Sequence, residues 1–181
     1  MKNFKRFAAL FVIGALAFSL AACGKGNTGN NTETEAATEA SKDVTPEVGA
    51  DTMGGKLWNA FLEAAAEDGA TAESVANKLS TNEVILFMPM VMEAEEGLLA
   101  GFDNAEIKGF KSGYMFAPMI SSIAFVNYVF ELEDGADAAA FIKTLTDNAN
   151  PAWNVCVQAD QTVAGSKGNL VFFAMCPENL E

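Results

Sequence analysis

Residues 24–55 read GKGNTGNNTETEAATEASKDVTPEVGADTMGG, a stretch with almost no large apolar side chain. Such a segment cannot bury enough surface to offset the entropy lost in ordering it. Any fold must therefore be assembled from residues 56–181, a length that supports one core and one domain. The stretch itself is expected to be a disordered tether whose root-mean-square span as a flexible coil is on the order of 30 Å. Glu33, Glu35 and Glu39 could gather around calcium only on a fixed backbone, so they read as solvated charges. The sequence has no internal repeat.

Ahead of the tether, residues 7–20 run without a charge behind Lys2, Lys5 and Arg6. That length suits the apolar core of a secretory leader and falls short of the roughly 18 to 20 residues that a membrane-spanning helix needs. The run closes on Leu20-Ala21-Ala22-Cys23, which resembles the lipobox of bacterial lipoproteins. The resemblance implies cleavage between Ala22 and Cys23, a diacylglyceryl group on the Cys23 thiol, and acylation of the new amino terminus by a palmitate-like chain. One acyl chain is a marginal anchor at about 0.8 kcal/mol per buried methylene, so the two or three chains are what would make attachment durable. The expected division is a signal peptide over 1–22, the lipidated cysteine and tether over 23–55, and an α+β domain over 56–181. The mature chain is then placed on the outer face of the cytoplasmic membrane, with the membrane as a partner through the anchor alone. An ordinary signal peptide that leaves Cys23 as a free thiol is the alternative.

The chain carries 24 acidic against 11 basic side chains, and loss of the leader moves its formal charge from -13 to -16. Phosphate binding needs clustered Lys and Arg, so nucleic acid is excluded as a partner. There is no histidine. That removes the commonest general base, the commonest zinc ligand and the usual partner of a nucleophilic serine or cysteine. Cys156 and Cys176 are too few and too far apart for a metal knuckle, and no CxxC redox motif occurs. No catalytic residue, cofactor or metal ligand is assigned.

Apolar periodicity predicts a helix over 56–68 with Leu57, Phe61 and Ala65 beside Trp58 and Leu62 on one face. A second helix starts at Thr71, whose hydroxyl can cap the first turn, and buries Val75 and Leu79. Residues 84–92 read as an extended segment ending near Pro89, because proline cannot donate to a central ladder. Residues 93–100 read as a helical turn with Leu98 and Leu99 inward. Two strands follow over 105–116 and 121–132. The second is apolar on both faces, Ile123, Phe125 and Val129 against Ala124, Val126, Tyr128 and Phe130, which marks a central strand. A helix over 136–148 buries Phe141, Ile142 and Leu145 before Pro151. The last two strands are placed at 153–160 and 169–176 around a turn containing Gly165 to Gly168. The fold class is α+β: two N-terminal helices on a mostly antiparallel sheet of about four to five strands, with one further helix before a C-terminal hairpin.

Placing Trp153, Val155, Val157 and Ala159 opposite Val171, Phe173 and Met175 leaves Cys156 and Cys176 together on the other face. The two are directly opposed if Ser166 is the centre of the hairpin, and diagonal if Ser166-Lys167-Gly168 forms the loop. Export permits a bridge, so a disulfide and two separate half-buried thiols both stay open.

Phe87-Met88-Pro89-Met90, Gly97-Leu98-Leu99, residues 125–133 followed by Gly135-Ala136-Asp137-Ala138, and residues 168–173 together resemble a family of uncharacterised small lipoprotein domains of Gram-positive bacteria. The resemblance implies a lipobox, a low-complexity tether and one compact α+β domain, with no established activity.

Four groups could carry function. Glu93, Glu95 and Glu96, and separately Glu131, Glu133, Asp134 and Asp137, are dense enough for calcium or for carboxylate catalysis but lack the loop spacing of a known site, so they read as solvated faces and helix caps. Phe110, Tyr114 and Phe116 around Gly109 and Gly113 could form an aromatic binding surface, although glycines in a strand more often mark a bulge or an edge. Met88, Met90, Met92, Met115 and Met119 could line an adaptable peptide groove, but are expected in the core. The leading expectation is a non-catalytic, lipid-anchored binding or accessory module that engages an envelope protein or small ligand. A small-ligand or calcium-binding carrier and a carboxylate-dependent envelope hydrolase are the rivals. A flat exposed aromatic or Met surface would favour the first, and a deep cavity with converging carboxylates the last.

Overall fold

The structure, a computed structural model, describes residues 43–120 and 122–180. The leader, Cys23 and the tether as far as residue 42 lie outside the described residues. Helix α1 (Met53–Ala65) is capped by Thr52, whose hydroxyl accepts from the Gly55 N–H. Helix α2 (Ala72–Ser80) begins at the expected cap, Thr71, which exchanges hydrogen bonds with Ser74 in a capping box. Strands β1 (Pro89–Glu93), β2 (Gly97–Leu98), β3 (Glu106–Ile107), β4 (Ser112–Pro118) and β5 (Val126–Glu131) follow. Helix α3 (Ala138–Asn148), capped by Asp137, precedes the hairpin β6 (Gln161–Lys167) and β7 (Leu170–Cys176). Five strands form an antiparallel sheet in the order β1-β4-β5-β7-β6, and β2 pairs with β3 apart from it. This is the expected α+β arrangement.

The sheet is covered on both faces, which explains why its central strands alternate one apolar set with another rather than apolar with polar. On one face α1 lies over β6 and β7 and α2 over β1, β4 and β5. Leu57, Phe61, Val75 and Leu79 of these helices pack there against Phe116, Val129 and Phe172. On the other face α3 covers β6 and β7, and its Phe141, Ile142 and Leu145 join Tyr128, Phe130 and Phe173. The edge-to-face ring pair Phe130–Phe141, with centroids 5.2 Å apart, ties α3 to the central strand.

Four expectations are corrected. The tether does not reach residue 55. Met53 is buried and its N–H donates to Glu178 O at 2.8 Å, so α1 starts three residues early. A β-carbon at Gly55 would sit 2.0 Å from Gly49 O, so these glycines serve close packing rather than disorder. Further out, Val44 O accepts from Ser166 N–H and Asp43 pairs with Lys167 at 2.7 Å. Residues 43 and 44 thus lie along β6.

Pro89 opens β1 instead of ending the strand before it, as suits an edge strand whose first residue needs no donor. Residues 93–100 form no helical turn, and Leu98 points outward at 66% exposure because β2 is a two-residue strand paired to β3. Finally, residues 153–160 are not a strand: Val155 is 96% exposed, and β6 begins only at Gln161. The hairpin turns at Gly168-Asn169, between the paired residues Lys167 and Leu170, so Gly165 and Ser166 are strand residues.

Candidate functional site

Of the two arrangements left open for Cys156 and Cys176, the structure has the separate thiols, the first exposed and the second buried rather than both half-buried. With 153–160 irregular, the strand alternation that would have brought the two together does not exist. Cys176 stands opposite Gln161 at the foot of the hairpin, and burial, helped by Asp160, pushes its thiol up to about 12. A thiol held protonated in this way is a packing group rather than a nucleophile.

The aromatic trio also separates. Phe116 is fully buried in the α1/α2 core, its ring tilted against that of Phe125 with centroids 5.4 Å apart. Phe110 packs on the opposite face, 4.9 Å from Phe130. Tyr114 is half-buried on the α1/α2 face, and desolvation followed by the charges of Glu73 and Glu93 raises its pKa. These side chains hold the sheet to its two layers and do not form one surface.

The second acidic group is divided among structural tasks. Glu131 pairs with Lys111 at 2.6 Å and Asp137 caps α3 by accepting from Ala140 N–H. In the first group Glu96 accepts from Gly109 N–H at 2.7 Å. Among the described residues no three His, Cys, Asp or Glu side chains gather in a cluster that could hold a metal ion.

What the structure does bring together is the methionines. Met88, Met90, Met92 and Met119 are 73%, 40%, 38% and 58% exposed, against the expectation of core, and Met115 is half-buried. Met92 stands opposite Met115 in the register of β1 and β4, and Met119 N–H donates to Met88 O, which continues that register by one pair. Side chains at alternate positions share a face, as do directly opposed residues. All five thioethers therefore project from the same face of the β1/β4 ribbon, the half that α3 leaves uncovered. Exposed Leu98 and Ile120 extend the apolar surface. Next to it a groove of about 480 Å³ runs beneath residues 93–100, with Met92, Met115 and Tyr128 on its wall and Glu93, Glu95 and Glu96 along its rim. Tyr128 is fixed there by its hydroxyl, which donates to Ala100 O at 2.9 Å.

The backbone of β1 adds a second element. Met88 O and Ala94 N–H both bond to the β4 side, so the even-numbered residues turn their amides inward and Val91 and Glu93 turn theirs toward the open edge. The opposite edge is different: at β6, Val44 occupies the Ser166 position with two hydrogen bonds, N–H to Ser166 Oγ at 3.0 Å and O from Ser166 N–H at 2.8 Å. The β6 edge is met by the chain itself at Ser166; the β1 edge is flanked by thioethers and carboxylates.

No protein-family model, no characterised sequence and no solved structure matches this chain. The site therefore has to be argued from its own residues. The signal that sequence reasoning underweighted was the spacing Met88-Pro89-Met90-Val91-Met92, in which alternation places three thioethers on one face and the proline makes that strand an edge.

Proposed function

We propose that this protein is a lipid-anchored, non-catalytic binding module on the outer face of the bacterial cytoplasmic membrane. Its β1 edge takes an extended segment of a partner protein bearing alternating apolar and Lys or Arg side chains. The observation that carries this reading is the inequality of the two sheet edges. An unpaired strand edge flanked by apolar surface is a template for an added strand, with main-chain hydrogen bonds supplying affinity and alternate side chains supplying selectivity. The methionines offer an adaptable apolar floor. Glu93, Glu95 and Glu96, on a chain of net formal charge -13, favour a basic partner segment and disfavour a second copy of the same acidic surface. The lipobox-like Leu20-Ala21-Ala22-Cys23 supports the anchoring part of the reading.

The edge is tested by titrating the full chain with synthetic extended peptides that alternate Leu with Lys or Leu with Glu. The Leu/Lys peptide should bind and the Leu/Glu peptide should not. Val91→Pro removes an outward donor that the sheet does not use and should abolish binding, whereas Val91→Ala, which loses the same packing against the α1/α2 core but keeps the donor, should still bind. Charge reversal at the exposed Glu93, Glu95 and Glu96 should invert the peptide preference. Equal binding of both peptides, or full binding by Val91→Pro, would discard the edge as the site. For the anchor, Cys23→Ser should release the protein from the membrane fraction, and mass spectrometry of the wild-type amino terminus should find a diacylglyceryl cysteine.

A further inference from the structure

We infer that the methionine face of the β1/β4 ribbon is a binding site for a soft monovalent cation, Cu(I). The inference concerns side chains rather than the strand edge, so it stands whether or not a partner segment docks there. Five of the chain's 8 methionines, Met88, Met90, Met92, Met115 and Met119, project from this one face. Successive thioethers on β1 start from Cα atoms about 6.7 Å apart, and the pairs across the ribbon from Cα atoms about 5.5 Å apart. Unbranched side chains with three rotatable bonds can bring neighbouring thioethers of this face onto one ion. Ala117, opposite Met90, contributes only a methyl group and leaves room above the ribbon. Four of the five methionines are more than a third exposed, so the sulfurs are reachable from solvent instead of being consumed in packing.

Thioether sulfur is a soft neutral donor that selects Cu(I) over the hard and borderline cations. Among the described residues the rival soft donors are the solitary, exposed Cys156 and the buried Cys176, and the chain has no histidine to compete. The neighbouring groove is lined by Glu93, Glu95 and Glu96 and by no Lys or Arg, which favours a cation at the ribbon. Because a thioether carries no proton to lose, its affinity should not depend on pH, whereas thiolate and imidazole ligands must first be deprotonated.

The test uses the full chain carrying Cys23→Ser and Cys156→Ser, titrated with Ag(I) as a redox-inert probe and with Cu(I) held under ascorbate by a chromophoric chelator. The expected result is uptake of a single ion with the same affinity at pH about 7 and about 5, where thiols are fully protonated. In protein labelled at the methionine methyls, the signals of Met88, Met90, Met92 and Met119 should shift on adding Ag(I). Those of Met53 and Met175, 3% and 0% exposed, should stay in place. Replacing Met88, Met90 and Met92 together by Leu keeps apolar volume and removes the sulfur. Affinity should fall by at least about 10-fold, the size of effect that loss of a supporting partner alone can produce. Absence of uptake, uptake that survives the Leu variant, loss of uptake at pH 5, or shifts confined to other methionines would each overturn the inference.

Discussion

At the scale of single residues, the two central strands carry the most informative side chains. Asn127 is fully buried on β5, between Phe116 and Ala174, and neither its Nδ2 nor its Oδ1 has a hydrogen-bond partner among the described residues. A buried unmatched amide costs about 1 to 3 kcal/mol. Asn127→Leu should therefore raise the denaturant midpoint by a comparable free energy with the slope unchanged, whereas Asn127→Asp should lower it. A less stable Leu variant would show that the amide is satisfied. Cys176 offers a second check: with its thiol raised by burial to about 12, iodoacetamide at pH about 8 should modify Cys156 and leave Cys176 untouched until the protein is denatured. Alkylation of both under native conditions would contradict the packing at the foot of the hairpin. The sequence named these two cysteines as neighbours because it supposed a strand at 153–160. Spacing alone cannot tell a strand from an irregular segment that happens to alternate.

At the scale of elements, legibility followed the range of the forces involved. Helix α2 was readable from its cap, because Thr71 and Ser74 are three residues apart and settle the start by local hydrogen bonding. The two-sided apolar pattern of β5 was readable for the same reason, since burial on both faces is written into consecutive positions. The early start of α1 and the strand identity of Gly165 were not. They depend on close approaches between distant segments: a β-carbon at Gly165 would lie 2.6 Å from the Trp58 ring and 2.7 Å from Val44 O. Gly165→Ala should therefore force Trp58 or β6 to shift and cost about 1 to 3 kcal/mol, the range for overpacking a tight core. Chemical denaturation measures this directly, and a neutral substitution would mean that α1 does not rest on the β6 backbone. The candidate site was legible by halves. The methionines were singled out together, yet they were assigned to the core because methionine is usually buried, and only the uncovered half of the sheet reverses that.

At the scale of the whole molecule, the contacts of Asp43 and Val44 with β6 fasten the first described residues to the last hairpin. The hydrogen bond from Lys167, followed by that from Gly168 N–H, holds the Asp43 carboxyl below its ordinary value of 3.8. A depressed carboxylate contributes stability that is present above its unfolded pKa and is lost as pH falls through the lower folded one. Protection of the Ser166 amide against hydrogen exchange, relative to amides of β7, should hold above pH about 4 and decline below it, and Asp43→Asn should flatten that dependence. A wild-type profile already flat across this window would show that the contact does not hold β6.

Unaided, the sequence determined the class of fold, the succession of helices, the central place of β5, the acidic balance and the expectation of a lipid-anchored module. All of these follow from composition or from neighbours within a few positions. Only the tertiary structure decided which sheet edge the chain's own Val44 meets, which methionines are exposed and which cysteines are apart, because each depends on segments tens of residues distant meeting across a sheet, and periodicity along the chain carries no record of that.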